Sequence, residues 1–225
     1  MATLFIVGTP IGNLEDVTLR ALRILKEVDV ILCEDTRVTQ KLLARHEIAG
    51  KQLSTYNEQQ SGITASKIIG WLEEGKNVAL VSDAGTPGIS DPGSLLVEKV
   101  RDALPDIKIE SIPGASALTA ALSIAGVPVH DFVFLGFLPH KKGRETLFKE
   151  IAESERTCVF YESPHRILKA LESLATFTPS KRVTIARELT KIHEEIKSGT
   201  ATELLAFFAE NEEKVRGEFV VIVSV

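Results

Sequence analysis

The polar residues of this chain best suited to chemistry gather in short stretches, each close behind an apolar run. CEDTRVTQ (33–40) sets Glu34, Asp35 and Arg37 after Val30-Ile31-Leu32-Cys33. FYESPHRI (160–167) groups Glu162, His165 and Arg166: a carboxylate, an imidazole and a guanidinium. ARELTKIHEE (186–195) adds Arg187 and Lys191, and LPHKKGRE (138–145) is a compact basic cluster with Lys141, Lys142 and Arg144. These residue types move protons or hold anions. Each stretch also has a plainer reading, as a helix cap or a solvated loop.

Three further turns are rich in glycine, proline and small residues instead. VGTPIGNLEDVT (7–18) follows the first apolar run. Its glycines let backbone approach a ligand with no Cβ in the way. It matches neither the dinucleotide nor the P-loop pattern, and no P-loop lysine follows, so a nucleotide triphosphate is not indicated. SDAGTPGISDPG (82–93) is longer than a strand–helix connection needs. Asp91-Pro92 reads as a helix cap followed by proline at the first helical position. That leaves Asp83 to Gly88 unexplained, at the carboxyl end of a strand, where open α/β sheets bind ligands. IPGASALTAALS (112–123) turns at Pro-Gly and opens a helix on small residues. A tight turn and a ligand loop are both open readings of each.

The elements that must position these turns alternate along the chain. Strand candidates are 3–7, 28–33, 77–81, 107–112, 131–136, 157–161, 182–186 and 218–224. Val17, Ala21, Ile24, Leu25 and Val28 mark one helix face, and Ile167, Leu168, Leu171 and Leu174 another. Ser163-Pro164 repeats the cap-plus-proline start. The alternation predicts an α/β fold with largely parallel strands, in two α/β domains, 1–113 and 114–225, hinged at Pro113-Gly114. With 225 residues, 44% apolar and 25% charged, the chain can bury a core of useful size. A net charge of −5 argues against a generic, charge-driven nucleic-acid binder but leaves room for a local basic patch. Cys33 and Cys158 lie in apolar runs, with no zinc spacing. No stretch approaches the ~20 apolar residues of a membrane span. The expectation is a cytoplasmic, reduced protein with no membrane and no metal.

Taken together, VGTPIGNLEDVTLRAL, CEDTR, LVSDAGTPGISDPG, IPGASA, GFLPHKKGRE, FYESPHRI, ARELTKIHEE and GEFVVIV run in register from end to end. In this the chain resembles the ribosomal RNA small-subunit methyltransferase I family, of the tetrapyrrole-methylase fold class. The resemblance implies two α/β domains of that type, S-adenosylmethionine (SAM) in the cleft between them, and a homodimer. It implies 2′-O-methylation of a cytidine ribose in 16S rRNA at the decoding centre, on an assembled small ribosomal subunit.

By similarity to tetrapyrrole methylases, the cofactor contacts fall at Pro10, at Ala84, Gly85, Thr86 and Ile89, at Ser116 and Ala117, at Tyr161 and Glu162, and near Leu189 and Thr190. A carboxylate near the end of the second strand is the proton acceptor in related enzymes, which makes Glu34 and Asp35 catalytic candidates, with Arg37 to orient one or hold a phosphate. Lys141, Lys142 and Arg144 are the expected phosphate contacts, with Arg166, Arg187 and Lys191 as further substrate contacts. Two departures stand out. Gly85-Thr86-Pro87 replaces the Gly-Asp-Pro usual in the tetrapyrrole enzymes, which leaves Asp83 and Asp91 without assigned roles. Many family members also carry a further C-terminal segment beyond the strand matching GEFVVIV. If that segment grips RNA, this chain should bind SAM well and methylate poorly. The competing readings are a same-fold enzyme acting on a tetrapyrrole or diphthine, and a non-catalytic SAM- or ribosome-binding module.

Overall fold

The computed structural model describes residues 2–57 and 61–225. It divides into two compact units, Met1–Ser116 and Ala117–Val225. Gly114, Ala115 and Ser116 therefore go with the first unit, not the second. The reason is local: Gly114 lies against Gly8, and a Cβ on Gly114 would stand 2.7 Å from the Gly8 carbonyl.

The first unit is a five-stranded sheet of β1 (Thr3–Val7), β2 (Val30–Cys33), β3 (Gln52–Thr55), β4 (Val78–Val81) and β5 (Lys108–Ile112). Their order is β3-β2-β4-β1-β5, and every pairing is parallel. Buried on both faces, the central strands are continuous apolar runs. One face packs on α1 (Leu19–Glu27) and α2 (Thr36–Arg45) through Ala21, Leu25, Leu42 and Leu43. The other packs on α3 (Ser61–Glu73) and α4 (Ser94–Ala103) through Ile68, Trp71, Leu96 and Val100. Chains leaving β1 and β2 thus turn to one face, while the chain leaving β4, which lies between them, turns to the other. Such a reversal opens a crevice at the carboxyl edge of a parallel sheet.

The expected α1 stripe is present: Ala21, Ile24, Leu25 and Val28 are buried, and the Thr18 hydroxyl caps the helix by accepting from Ala21 N–H at 3.0 Å. Asp91 does not cap the next helix, whose N-cap is Gly93. Helix α4 starts at Ser94, behind Gly93 at φ +148°. A Cβ on Gly93 would sit 3.0 Å from Leu80 Cδ2 and 3.2 Å from Gly88 N, so the crowded helix entry requires glycine there.

The second unit has β6 (Phe132–Phe137), β7 (Thr157–Glu162), β8 (Val183–Arg187), β9 (Glu195–Gly199) and β10 (Phe219–Val223), in the order β6-β7-β10-β8-β9. Here the expectation of largely parallel strands fails. Only β6 and β7 run parallel; β10 is antiparallel to both β7 and β8, and β9 is antiparallel to β8. The core on one face gathers Phe148 and Ile151 of α6 (Arg144–Glu153), Ile167, Ala170, Leu171 and Leu174 of α7 (Ile167–Phe177), and Leu204 and Phe208 of α8 (Ala201–Glu210). Leu168, expected on that face, is exposed, and Ala170 takes its place. The unit opens with α5 (Ala117–Ile124).

Candidate active site

In the first unit, the turns after β1, β4 and β5 meet at one edge of the sheet. Thr9 N–H donates to Gly85 O at 2.8 Å, and Gly85 N–H returns to Thr9 O at 3.1 Å. The Thr9 hydroxyl donates to Ser82 O at 3.0 Å, which ties the first turn to the root of the second. Gly8 N–H donates to Ile112 O at 3.0 Å. A Cβ on Gly8 would lie 2.8 Å from Gly114 Cα and 3.4 Å from Thr86 Oγ1. The glycines of these turns have separate physical reasons. Gly8 and Gly114 permit backbone contact, whereas Gly85 supplies φ +81°, where a Cβ would meet only ordinary van der Waals contacts, Ile11 Cγ2 at 3.6 Å and Ala115 O at 3.8 Å.

The expected cofactor residues Pro10, Gly85 and Thr86 are thereby brought together, with Ala84 and Ser116 in the same turns. Ile89 stays tied to the same turn by its N–H, which donates to Thr86 O at 3.4 Å, while its side chain is half exposed and lines a cavity of about 420 Å³ with Ile6, Leu80, Pro87 and Val97. Ala117 is the first residue of α5, in the second unit.

Behind β2, the two adjacent carboxylates differ in state. Asp35 caps α2, accepting Arg37 N–H at 2.8 Å. It also grips the Arg37 guanidinium through Nε at 3.0 Å and Nη2 at 2.6 Å. Those hydrogen bonds, from the side chain first and then the backbone of Arg37, hold its carboxyl at about 2. Glu34 is opposite: burial, then the charge of Asp83, push its carboxyl up, tempered by hydrogen bonds with the Asp83 backbone and Ser82. Burial also pushes the neighbouring Cys33 thiol up. Asp35 N–H donates to Asp83 Oδ1 at 3.0 Å, so the β4 turn is fastened to the β2 turn. Asp83, whose role the sequence left open, is thus the residue that joins the two turns and helps set the basicity of Glu34. Its importance depends on contacts across the sheet, for which the linear sequence carries no signal.

In the second unit, Glu162 ends β7 with its side chain fully buried (0% exposed), clamped by two arginines. Arg144 Nη2 donates to Oε2 at 2.9 Å and Arg166 Nε lies 2.7 Å from Oε1. Ser163 N–H donates to Oε1 at 2.9 Å. The arginines also hold the chain before α6: Arg144 donates to Pro139 O at 3.3 Å and Arg166 to Leu138 O at 2.9 Å. Their side chains are only 14% and 16% exposed. Both guanidinium groups, expected to meet substrate, are thus committed to Glu162 and to backbone carbonyls. His165 is exposed, outside the cluster.

Arg187, at the end of β8, shares the sheet row of Glu162, with Phe219 between them. It is buried, 3.4 Å from Glu195, while Lys214 donates to the other oxygen of Glu195 at 2.7 Å. Lys191 donates to Glu188 and to Glu218, both at 2.8 Å. Leu189 is buried, and Thr190 takes φ +65° while its N–H donates to Glu194 at 2.6 Å. Of the expected RNA contacts, Lys141 and Lys142 are the exposed pair, in the turn that opens α6. Among the described residues, no cluster of side chains suits a metal ion, and no helix is long and apolar enough to cross a membrane.

Comparison with known proteins agrees with this architecture. Residues 3–205 match the model of the Tetrapyrrole (Corrin/Porphyrin) Methylases. A Thermotoga maritima protein named ribosomal RNA small subunit methyltransferase I is 46% identical over 100% of this chain and 99% of its own length. Its namesake from Escherichia coli O157:H7 is 48% identical over 98% of this chain and 77% of its own. Among solved structures, a diphthine synthase aligns with a TM-score of 0.76 at 14% identity, covering 100% of this chain and 90% of that one, a likeness of fold alone. The chain belongs to the tetrapyrrole (corrin/porphyrin) methylase family and, within it, to the ribosomal RNA small subunit methyltransferase I family.

Proposed function

We propose that this protein is a SAM-dependent methyltransferase of the small ribosomal subunit, acting as a homodimer on the 2′-hydroxyl of a cytidine in 16S rRNA. The observation that carries the substrate class is the 46–48% identity, over essentially the whole chain, to relatives named ribosomal RNA small subunit methyltransferase I. Similarity to a diphthine synthase at 14% identity, or to a uroporphyrin-III-C-methyltransferase at 21%, carries the fold and not those substrates.

The first unit suits the cofactor by its chemistry. SAM has no phosphate, and the turns at Gly8–Pro10, Ala84–Thr86 and Gly114–Ser116 offer backbone donors and acceptors with little side-chain bulk. Those turns would hold it. When bound, it supplies an electrophilic methyl group on a positively charged sulfur.

The remaining work falls to the protein. A ribose hydroxyl is a poor nucleophile, so orientation matters first; holding reactants in line is worth up to ~7–11 kcal/mol. Glu34 is the proton acceptor in this reading, because burial and Asp83 raise its basicity. Asp35 is poorly basic, its carboxyl engaged by Arg37 and the α2 cap. It serves instead to fix the turn that carries Glu34. General-base assistance of this kind contributes about 10²–10⁴-fold.

The test is transfer from methyl-labelled SAM to three acceptors: small subunits from a strain lacking the enzyme, naked 16S rRNA, and a tetrapyrrole. Label on the subunits alone supports the reading. Label on the tetrapyrrole, or SAM binding with no transfer to any acceptor, would sink it.

A further inference from the structure

We propose that Phe137 is a platform on which an unpaired base of the RNA substrate stacks, with Lys141 and Lys142 holding the adjoining phosphates. The proposal rests on the reading that this protein acts on RNA.

The platform begins with an irregularity in an edge strand. β6 pairs with β7 in parallel, Phe134 opposite Val159, but the next partners are Phe137 and Tyr161. One more residue is used on β6 than on β7, and Gly136 takes φ +61° at that point. In a regular strand, residues three apart face opposite sides. The extra residue restores the side: both phenylalanines reach Tyr161. Phe134 and Tyr161 meet edge-to-face with centroids 5.0 Å apart, and Phe137 and Tyr161 at 5.4 Å. Bulges of this kind re-aim a side chain. Here the result is a ring braced by Tyr161 and still 55% exposed.

The chain beyond the ring is fixed. Leu138 is buried and its carbonyl accepts from Arg166; the Pro139 carbonyl accepts from Arg144. Both arginines are locked on buried Glu162. An exposed ring is usually free to move, but this one is anchored on each side, so little conformational entropy remains to be lost on binding.

Charge selects the occupant. Residues 138–144, Leu-Pro-His-Lys-Lys-Gly-Arg, contain no acidic residue in a chain of net charge −5. Lys141 and Lys142 are exposed, and their turn is closed by Arg144 N–H donating to Lys141 O at 3.2 Å. A rigid exposed aromatic ring followed by cations is the arrangement that holds single-stranded nucleic acid: the ring takes a base face and the cations take the backbone. It also gives Arg144 and Arg166 a part in binding without phosphate contact, since they position the residues that make it.

The experiment compares Phe137→Ala, Phe137→Leu, Phe137→Trp and the double variant Lys141→Ala/Lys142→Ala in the full chain. Binding to small subunits is measured over a salt series, SAM binding by calorimetry, and oligomeric state by sedimentation. Phe137→Ala and Phe137→Leu should weaken subunit binding by about 5- to 150-fold, the range of one stacked base, with SAM affinity and oligomeric state unchanged. Phe137→Trp should bind like wild type, since it keeps a π-face. The salt dependence should stay that of wild type in Phe137→Ala and flatten in the lysine pair. Wild-type subunit affinity in Phe137→Ala, or in Phe137→Leu, would overturn the proposal. So would loss of SAM binding or of self-association in Phe137→Ala, which would assign the ring elsewhere. If wild-type protein neither binds nor methylates subunits, the RNA reading falls and this proposal with it. Normal wild-type methylation beside an indifferent Phe137→Ala removes the platform alone.

Discussion

Glu34 and Asp35 are neighbours in sequence whose carboxyls are shifted in opposite directions. Asp35 is held ionised by Arg37, while Glu34 is made more basic by burial and Asp83. Glu34→Gln should therefore lower the rate of methyl transfer by about 10²–10⁴-fold, the worth of a general base. SAM affinity measured by calorimetry should be unchanged. The pH dependence follows from the direction of the shift. A raised carboxyl stays protonated to higher pH, so the basic form is lost, and the rate falls, as pH drops through a value above the ordinary carboxylate range. Asp83→Asn removes the charge that raises it, so the acid limb of a pH–rate profile should move to lower pH. The Asp35 carboxyl has the reverse sign: its contribution to stability is present above the ordinary carboxylate range and is lost as pH falls towards about 2. Glu162, expected at the cofactor, is held by Arg144, Arg166 and the Ser163 N–H. Removing it leaves the part-buried guanidinium groups of Arg144 and Arg166 without that counter-charge, so Glu162→Ala should cost up to about 3–5 kcal/mol in urea unfolding.

At the scale of elements, the turns at the edge of the first sheet depend on one backbone contact. Gly114→Ala would place a Cβ 2.7 Å from the Gly8 carbonyl, a contact that real structures do not tolerate. The expected outcome is a displaced β5 turn and weakened SAM binding in calorimetry, where Gly70→Ala in α3, with open space around its Cβ and no positive φ, leaves SAM binding unchanged. Much of this framework was legible in the sequence, because the central strands are unbroken apolar runs and the turns behind them are rich in glycine. Among the edge strands, β5 and β6 were legible, as 107–112 and 131–136, but β3 and β9 were not. Gln52-Leu53-Ser54-Thr55 and Glu195-Ile196-Lys197-Ser198-Gly199 are half exposed and polar, so neither alternation nor an apolar run marks them. Strand direction in the second sheet was illegible for a related reason: β8 and β10 are buried throughout, and a fully buried antiparallel strand looks like a parallel one. The residues of the charged clusters were visible, but their partners were not. Nothing in LPHKKGRE distinguishes Arg144, which turns inward to Glu162, from Lys141 and Lys142, which stay exposed. That difference is created by the packing of α6 against β7.

For the whole molecule, the tension lies between a net charge of −5 and a polyanionic substrate. The structure narrows the available cations, because Arg144, Arg166, Arg187 and Lys191 are all engaged in ion pairs. If Lys141 and Lys142 each meet a phosphate, Lys141→Ala/Lys142→Ala should reduce the slope of log affinity against log salt by roughly 1.4, from ~0.7 per phosphate on single strands. Filter binding to small subunits over a salt series reads this directly, with SAM affinity as the control. The most direct test of the central claim is nucleoside mass spectrometry of 16S rRNA from small subunits treated with this protein and SAM. A new 2′-O-methylcytidine, formed about 10²–10⁴-fold more slowly when Glu34→Gln is used in a single turnover, is the predicted result. A methyl group on the cytosine base, on another nucleoside, or on no nucleoside at all would contradict it.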